Sequence, residues 1–168
     1  MSCSVTLNGL VRDCAPSKGG IAVVYLSDAE DVAVTIASNE ISNITGGTWK
    51  KYKFPKNTGS MVSTYQINEE NGSKYVETLL NLVFNKMETT KRIEIAAMAQ
   101  GEVVAIVKDA NGIYWYLGKD EPLTLASGEG NTGTARGDRN GYTIALRDTS
   151  NELPYAITAD ALPTDIDE

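Results

Sequence analysis

The feature that most constrains this chain is a period of two, cut at short intervals by glycine and asparagine. Successive side chains of a strand point to opposite faces, so half-buried strands write that period into sequence. Residues 4–11 carry it first. Residues 21–26 form a β-branched apolar run with Ala22, Val24 and Leu26 on one side, and Val32, Val34 and Ile36 alternate after it. Around Asp109-Ala110-Asn111-Gly112, residues 103–107 read as a further strand and 113–117 as its return, with Ile113, Trp115 and Leu117 opposing Tyr114 and Tyr116. Tyr142, Ile144 and Leu146 mark a last strand. Short runs with closely spaced turn signals predict a mainly β fold, a sandwich or barrel. The absence of a fixed-period repeat excludes solenoids and propellers.

One turn signal predicts a long β-hairpin over about 61–86, because Glu69-Glu70-Asn71-Gly72 separates two patterned runs and Asn-Gly tolerates positive φ. In its second arm Val76, Leu80, Leu82 and Phe84 share a face with Thr78, while Tyr75, Leu79 and Val83 share the other with Glu77, Asn81 and Asn85. Apolar residues on both faces imply a strand buried on both sides or facing a partner subunit. A helix over 75–87 competes, since Val76, Leu79, Leu80 and Val83 fit helical spacing; continuation of the hairpin favours the strand. One flanking α-helix is predicted at about 89–100. Thr89-Thr90 would cap it, Ile93, Ala96, Ala97 and Met98 would form its apolar stripe, and Gly101 would stop it. Residues 48–56 hold the basic cluster Lys50, Lys51, Lys53 and Lys56 among aromatics. That mixture suits a single-stranded nucleic-acid platform or, as the preferred reading, an edge strand shielded by lysine. Residues 123–126 read as a short strand and 127–141 as a long polar loop.

Charge divides the chain. The formal net charge is −7, from 15 Lys+Arg and 22 Asp+Glu. Six of the acidic residues (Asp148, Glu152, Asp160, Asp165, Asp167, Glu168) follow the last basic residue, Arg147, which leaves residues 1–147 at −1. The expectation is one β-rich domain over 1–147 and an acidic C-terminal arm over 148–168, either solvated or ordered on a neighbouring subunit. An acidic balance opposes a phosphate-gripping role.

Chemistry is sparse. There is no His, which removes the commonest general base and metal ligand, and two Cys cannot form a four-thiolate zinc site. Asp109, Asp120, Glu121, Glu129 and Asp138 fall in turns or loops, where carboxylates form turns more often than catalytic pairs. The glycine-rich 128–133 lacks the Gly-Lys-Ser/Thr ending of a phosphate loop. Four aromatics, Trp49, Trp115, Tyr114 and Tyr116, would suit a carbohydrate-stacking platform, the alternative from another functional class. The reading is a non-enzyme with no cofactor and no metal. No apolar run reaches the length of a membrane span and no basic-apolar leader is evident. Cytoplasmic synthesis and reduced Cys3 and Cys14 follow as expectations.

The segments VVAIVKDANGIYWYLG (103–118), TGTARGDRNGYTIAL (132–146) and LLNLVFNKMETTKRIEIAAMAQG (79–101) carry a resemblance, as do Cys3 and Cys14 flanking the first run with Gly19-Gly20-Ile21 after them. Together, over nearly all of the chain to about residue 155, they resemble a family of virion structural proteins from tailed phages and prophages of Bacteroidetes. By size and architecture the resemblance is to tail-tube proteins; a tail terminator, ring or hub component is the alternative. It implies a sandwich or barrel with a flanking helix and long hairpin, copies of which form hexameric rings. The rings stack, meet other tail proteins, and pass DNA without specific binding, all in the virion tail and away from membranes. Assembly is then expected on Tyr65, Tyr75, Leu79, Val83 and Phe84 of the hairpin and on Asn131, Thr132, Arg136, Asp138 and Arg139 of a stacking loop. Glu69, Glu70 and Glu77 are expected at the lumen or the ring seam.

Overall fold

A computed structural model describes residues 4–164 and 166. The chain is mainly β, with one α-helix flanking a sandwich of two larger sheets, as the period of two predicts.

The middle layer is a five-stranded sheet in the order β11-β8-β7-β1-β4. Its strands are β1 (Ile21–Asp28), β4 (Lys50–Tyr52), β7 (Val103–Asp109), β8 (Tyr114–Leu117) and β11 (Tyr155–Ala156). The outer layer is a four-stranded sheet, β5-β6-β10-β9, of β5 (Ser60–Asn68), β6 (Ser73–Asn85), β9 (Thr124–Asn131) and β10 (Gly141–Ser150). On the far side of the middle sheet lies a separate hairpin, β2 (Val32–Ala37) with β3 (Glu40–Gly46).

Two cores share the middle sheet. Val24, Leu26, Ala105, Val107 and Leu117 meet Leu80, Leu82, Ile144 and Leu146 of the outer sheet. On the reverse face Val23, Tyr25, Val104, Ile106 and Tyr116 meet Ile41, Ile44, Trp49, Ile157 and Ala161. Burial on both faces explains why β1 and β7 read as unbroken apolar runs. Each fully buried Leu, Ile or Val contributes about 1.5–3 kcal/mol. α1 (Thr89–Gln100) adds Met98 and part of Ile95 to the first core, and Tyr52 Oη of β4 donates to Glu94 Oε2 at 2.7 Å.

The predicted hairpin is present as β5 and β6, in continuous register from Ser60↔Asn81 to Asn68↔Ser73. At its turn only Gly72 takes positive φ (+74°), while Asn71 Oδ1 accepts from Ser73 N–H at 2.9 Å. The lysine-bearing segment is β4, an edge strand of three residues.

Several expectations change. Residues 4–11 form no strand: every residue from 4 to 20 is exposed, and among the described residues no strand pairs with the segment. The stripe expected on α1 holds only at Met98, which is buried, while Ile93, Ala96 and Ala97 are exposed; Glu88 rather than Thr89 holds the N-cap position. β9 continues to Asn131, so the loop begins at 132; β9 pairs with β10 across a bulge that skips Ala126. The boundary drawn at 147/148 falls inside β10. The chain beyond β10 does leave the outer sheet as an extended C-terminal stretch, but it docks on its own subunit. Tyr155 and Ala156 pair with β8, Ile157 bridges Ile41 of β3, and Ala161 is buried in the second core. Asp165, Asp167 and Glu168 of the expected acidic arm, and Cys3, lie outside the described residues; Cys14 is a free, exposed thiol.

Candidate functional site

The outer sheet has one face in the first core and another that no element of the described chain covers. Alternation from the buried Leu80, Leu82 and Phe84 puts Tyr75, Glu77, Leu79, Asn81 and Val83 on the uncovered face. Val62 and Thr64 lie beside Leu79 and Glu77 on β5, and Thr143, Ala145 and Arg147 lie beside Val83, Asn81 and Leu79 on β10. Hydroxyl, amide and short apolar side chains dominate, and the charges are Glu77, Glu129 and Arg147. This is a broad, weakly charged strand surface.

The hairpin residues expected to drive assembly divide between faces. Tyr75 and Leu79 lie on the uncovered face, the first exposed and the second half-buried; Val83 lies there too but is buried. Phe84 points the other way and is spent in the first core, where its ring tilts against Tyr52 at 6.4 Å between centroids. Tyr65 shares the inward side with the buried Val76 but sits on the edge strand and is exposed, with Lys74 Nζ 5.5 Å from its ring centre. Every residue from Thr64 to Tyr75 is exposed, so Glu69 and Glu70 stand at a projecting tip, whereas Glu77 lies within the sheet face.

Asn131 closes β9, and Thr132, Arg136, Asp138 and Arg139 stand exposed in the loop between β9 and β10. The loop is organised by its own side chains. Asp138 Oδ2 accepts from the N–H groups of Thr134 and Ala135 at 3.0 and 2.8 Å, and these bonds hold its carboxyl below the usual carboxylate range. Asn140 fastens its end to the bend after β6, with its Oδ1 accepting from Met87 N–H at 2.8 Å. Gly141 follows, and an added Cβ there would lie 2.0 Å from the Phe84 carbonyl oxygen, so only glycine lets β10 run this close to β6.

The turn carboxylates are occupied structurally. Asp109 Oδ1 accepts from Asn111 and Ile113 N–H and its Oδ2 from Trp115 Nε1, so it builds the β7–β8 turn. Asp120 Oδ2 accepts from Ser150 Oγ and Asn151 N–H. The aromatic quartet does not gather into a platform: Trp49, Tyr114 and Tyr116 belong to the second core and Trp115 to the first. Among the described residues no three of His, Cys, Asp and Glu converge on one point, and no helix is long and apolar enough to cross a membrane.

One buried carboxylate escaped the sequence reading. Asp148 of β10 is almost wholly inaccessible and sits across the ladder from fully buried Thr78. Its Oδ2 accepts from Gly118 N–H at 2.9 Å, while its Oδ1 has no hydrogen-bond partner of normal geometry. Burial pushes its carboxyl above the ordinary value, and neighbouring Asp120 pushes the same way, against the Gly118 and Thr78 contacts. Only its alternation with Ile144 and Leu146, continued one step further, marked it as inward. No known protein-family model matches the chain, and no curated protein or solved structure matches it either.

Proposed function

We propose that this chain is a virion structural protein, the tail-tube subunit of a tailed phage, made in the host cytoplasm and assembling into stacked hexameric rings that conduct DNA. The observation that carries the reading is the uncovered face of the outer sheet. A four-stranded face with one guanidinium against two carboxylates is suited to line a conduit, because passing phosphates meet few cations able to displace their counterions. Ring closure would set the uncovered faces of neighbouring copies side by side around the channel, and the projecting hairpin tip and the 132–140 loop supply contacts between rings. The function is mechanical, and Asp109, Asp120 and Asp138 serve the chain's own fold. Dispersal of Trp49, Tyr114, Trp115 and Tyr116 between two cores disfavours the sugar-binding alternative.

Electron microscopy of the purified protein over a rising concentration series tests the proposal. Rings that stack into tubes are expected. Isolated rings that never polymerise would reassign the chain to a tail terminator, ring or hub component, and a strict monomer at every concentration would sink the assembly reading.

A further inference from the structure

Two parts of this molecule lack a partner of the kind their sequence calls for, and each is what the other lacks. The first is the segment before β1. Residues 4–11 read Ser-Val-Thr-Leu-Asn-Gly-Leu-Val, with a strand-like alternation at its start and no charge. Val5, Leu7, Leu10 and Val11 are between 77% and 103% exposed, so this apolar surface has no cover in its own subunit. Closer to β1 the chain is fastened: Asn111 Oδ1 accepts from Lys18 N–H at 2.8 Å, Asn111 Nδ2 donates to the Lys18 carbonyl at 3.2 Å, and Gly20 O accepts from Ala110 N–H at 3.1 Å. Beyond that clamp residues 4–16 stand off the body.

The second is the free edge of β5. Of the four sheet edges in the two larger sheets, β11 and β4 are only two and three residues long, and β4 carries Lys50 and Lys51. β9 is interrupted by its bulge at Ala126 and carries Glu129. β5 runs for nine residues, Ser-Met-Val-Ser-Thr-Tyr-Gln-Ile-Asn, with no charge, no proline and no bulge in its ladder to β6. Edge strands of lasting monomers are shortened, bulged or charged to prevent pairing, and β5 shows none of these protections. Its side chains are also underused, with Val62 at 52%, Tyr65 at 44% and Ile67 at 63% exposed.

We infer that residues 4–11 of one copy add as an extra strand to the β5 edge of a second copy. Strand addition satisfies the open backbone groups of both segments, and alternate side chains supply selectivity. Val5 and Leu7 share one face of the added strand and can cover Tyr65 and Ile67, which share one face of β5. Both partners are uncharged, so no ion has to be desolvated in forming the contact. Residues 12–16 link the clamp to the docking segment and span up to ~16 Å, and the docked segment runs a further ~26 Å along β5, which suits a subunit packed directly alongside. The inference concerns how copies join and does not require that the assembly conduct DNA.

A photo-crosslinking amino acid at Leu7, in a mixture of isotope-labelled and unlabelled full-length chains, tests it together with sedimentation of Leu7→Asp and Val62→Lys variants. Both substituted positions, 7 and 62, are exposed, so thermal melts should match the parent and keep the variants interpretable. The expected result is crosslinks from position 7 to residues 60–68 of the other isotopic species, with self-association weakened at least tenfold by either variant. Crosslinks confined within one copy, crosslinks to β4, β9 or β11, or association unaltered by both variants would overturn the inference. Tubes that still form from Leu7→Asp would overturn it while leaving the tail-tube reading intact.

Discussion

At the scale of single residues, Asp148 shows how placement overrides composition. In the sequence it is the first of six terminal acids; in the fold it is a buried carboxylate with one unpartnered oxygen. Because the folded chain holds its proton more tightly than the unfolded chain, its ionisation works against folding. The stability it permits is fully present below the unfolded value, about pH 3.9, and declines as pH rises through the elevated folded value. Asn cannot ionise yet keeps an acceptor for Gly118 N–H. Asp148→Asn should therefore raise Tm at pH 7 by roughly 2–4 °C, with the gain vanishing near pH 3. Melts across that range check it, and a variant less stable at pH 7 would show that the charge is needed where it lies.

At the scale of elements, type was more legible than orientation. The β5–β6 hairpin could be read because its alternation continues through both arms to a glycine turn. β3 was missed because its hairpin turns on Ser38-Asn39, at φ of 53° and 64°, without the glycine that advertises such a turn. The helix was found from its cap region and stop, but its facing was not. Met98 can be shared by a stripe with Ile93, Ala96 and Ala97 or by one with Ile95, and only the position of the sandwich chooses between them. Met98→Ala should accordingly cost about 2 kcal/mol or more in denaturant unfolding, while Ile93→Gln on the outward face should stay within about 0.5 kcal/mol. Equal effects would mean that both faces are packed. The uncovered sheet face was half legible: the two-sided apolar pattern of β6 marked it, but the burial of Phe84 required the partner sheet.

At the scale of the whole molecule, the two ends of the chain exchange the roles their charges assigned them. The acidic C-terminal stretch reads as a solvated arm, yet Ile157 and Ala161 seal the second core; the uncharged segment before β1 reads as a strand, yet stands free. Alternation announces a strand but not which chain will pair with it. A chain ending at Asn151 should lose about 3 kcal/mol or more and melt roughly 10 °C lower, because Ile41, Ile106 and Tyr116 lose their cover. Removal of residues 1–16 should leave Tm within about 2 °C of the full chain. Comparable melting of both truncations would contradict this division. The free segment also leads, through its clamp on Asn111, directly into β1, which is laddered to β7 on one side and β4 on the other. A pull on residues 4–16 is thus applied along the axis of β1, and its two ladders are loaded in parallel rather than peeled one bond at a time. The subunit's mechanical anchor point is a strand laddered on both sides, and traction on the arm would have to shear the middle sheet before it could unravel the fold.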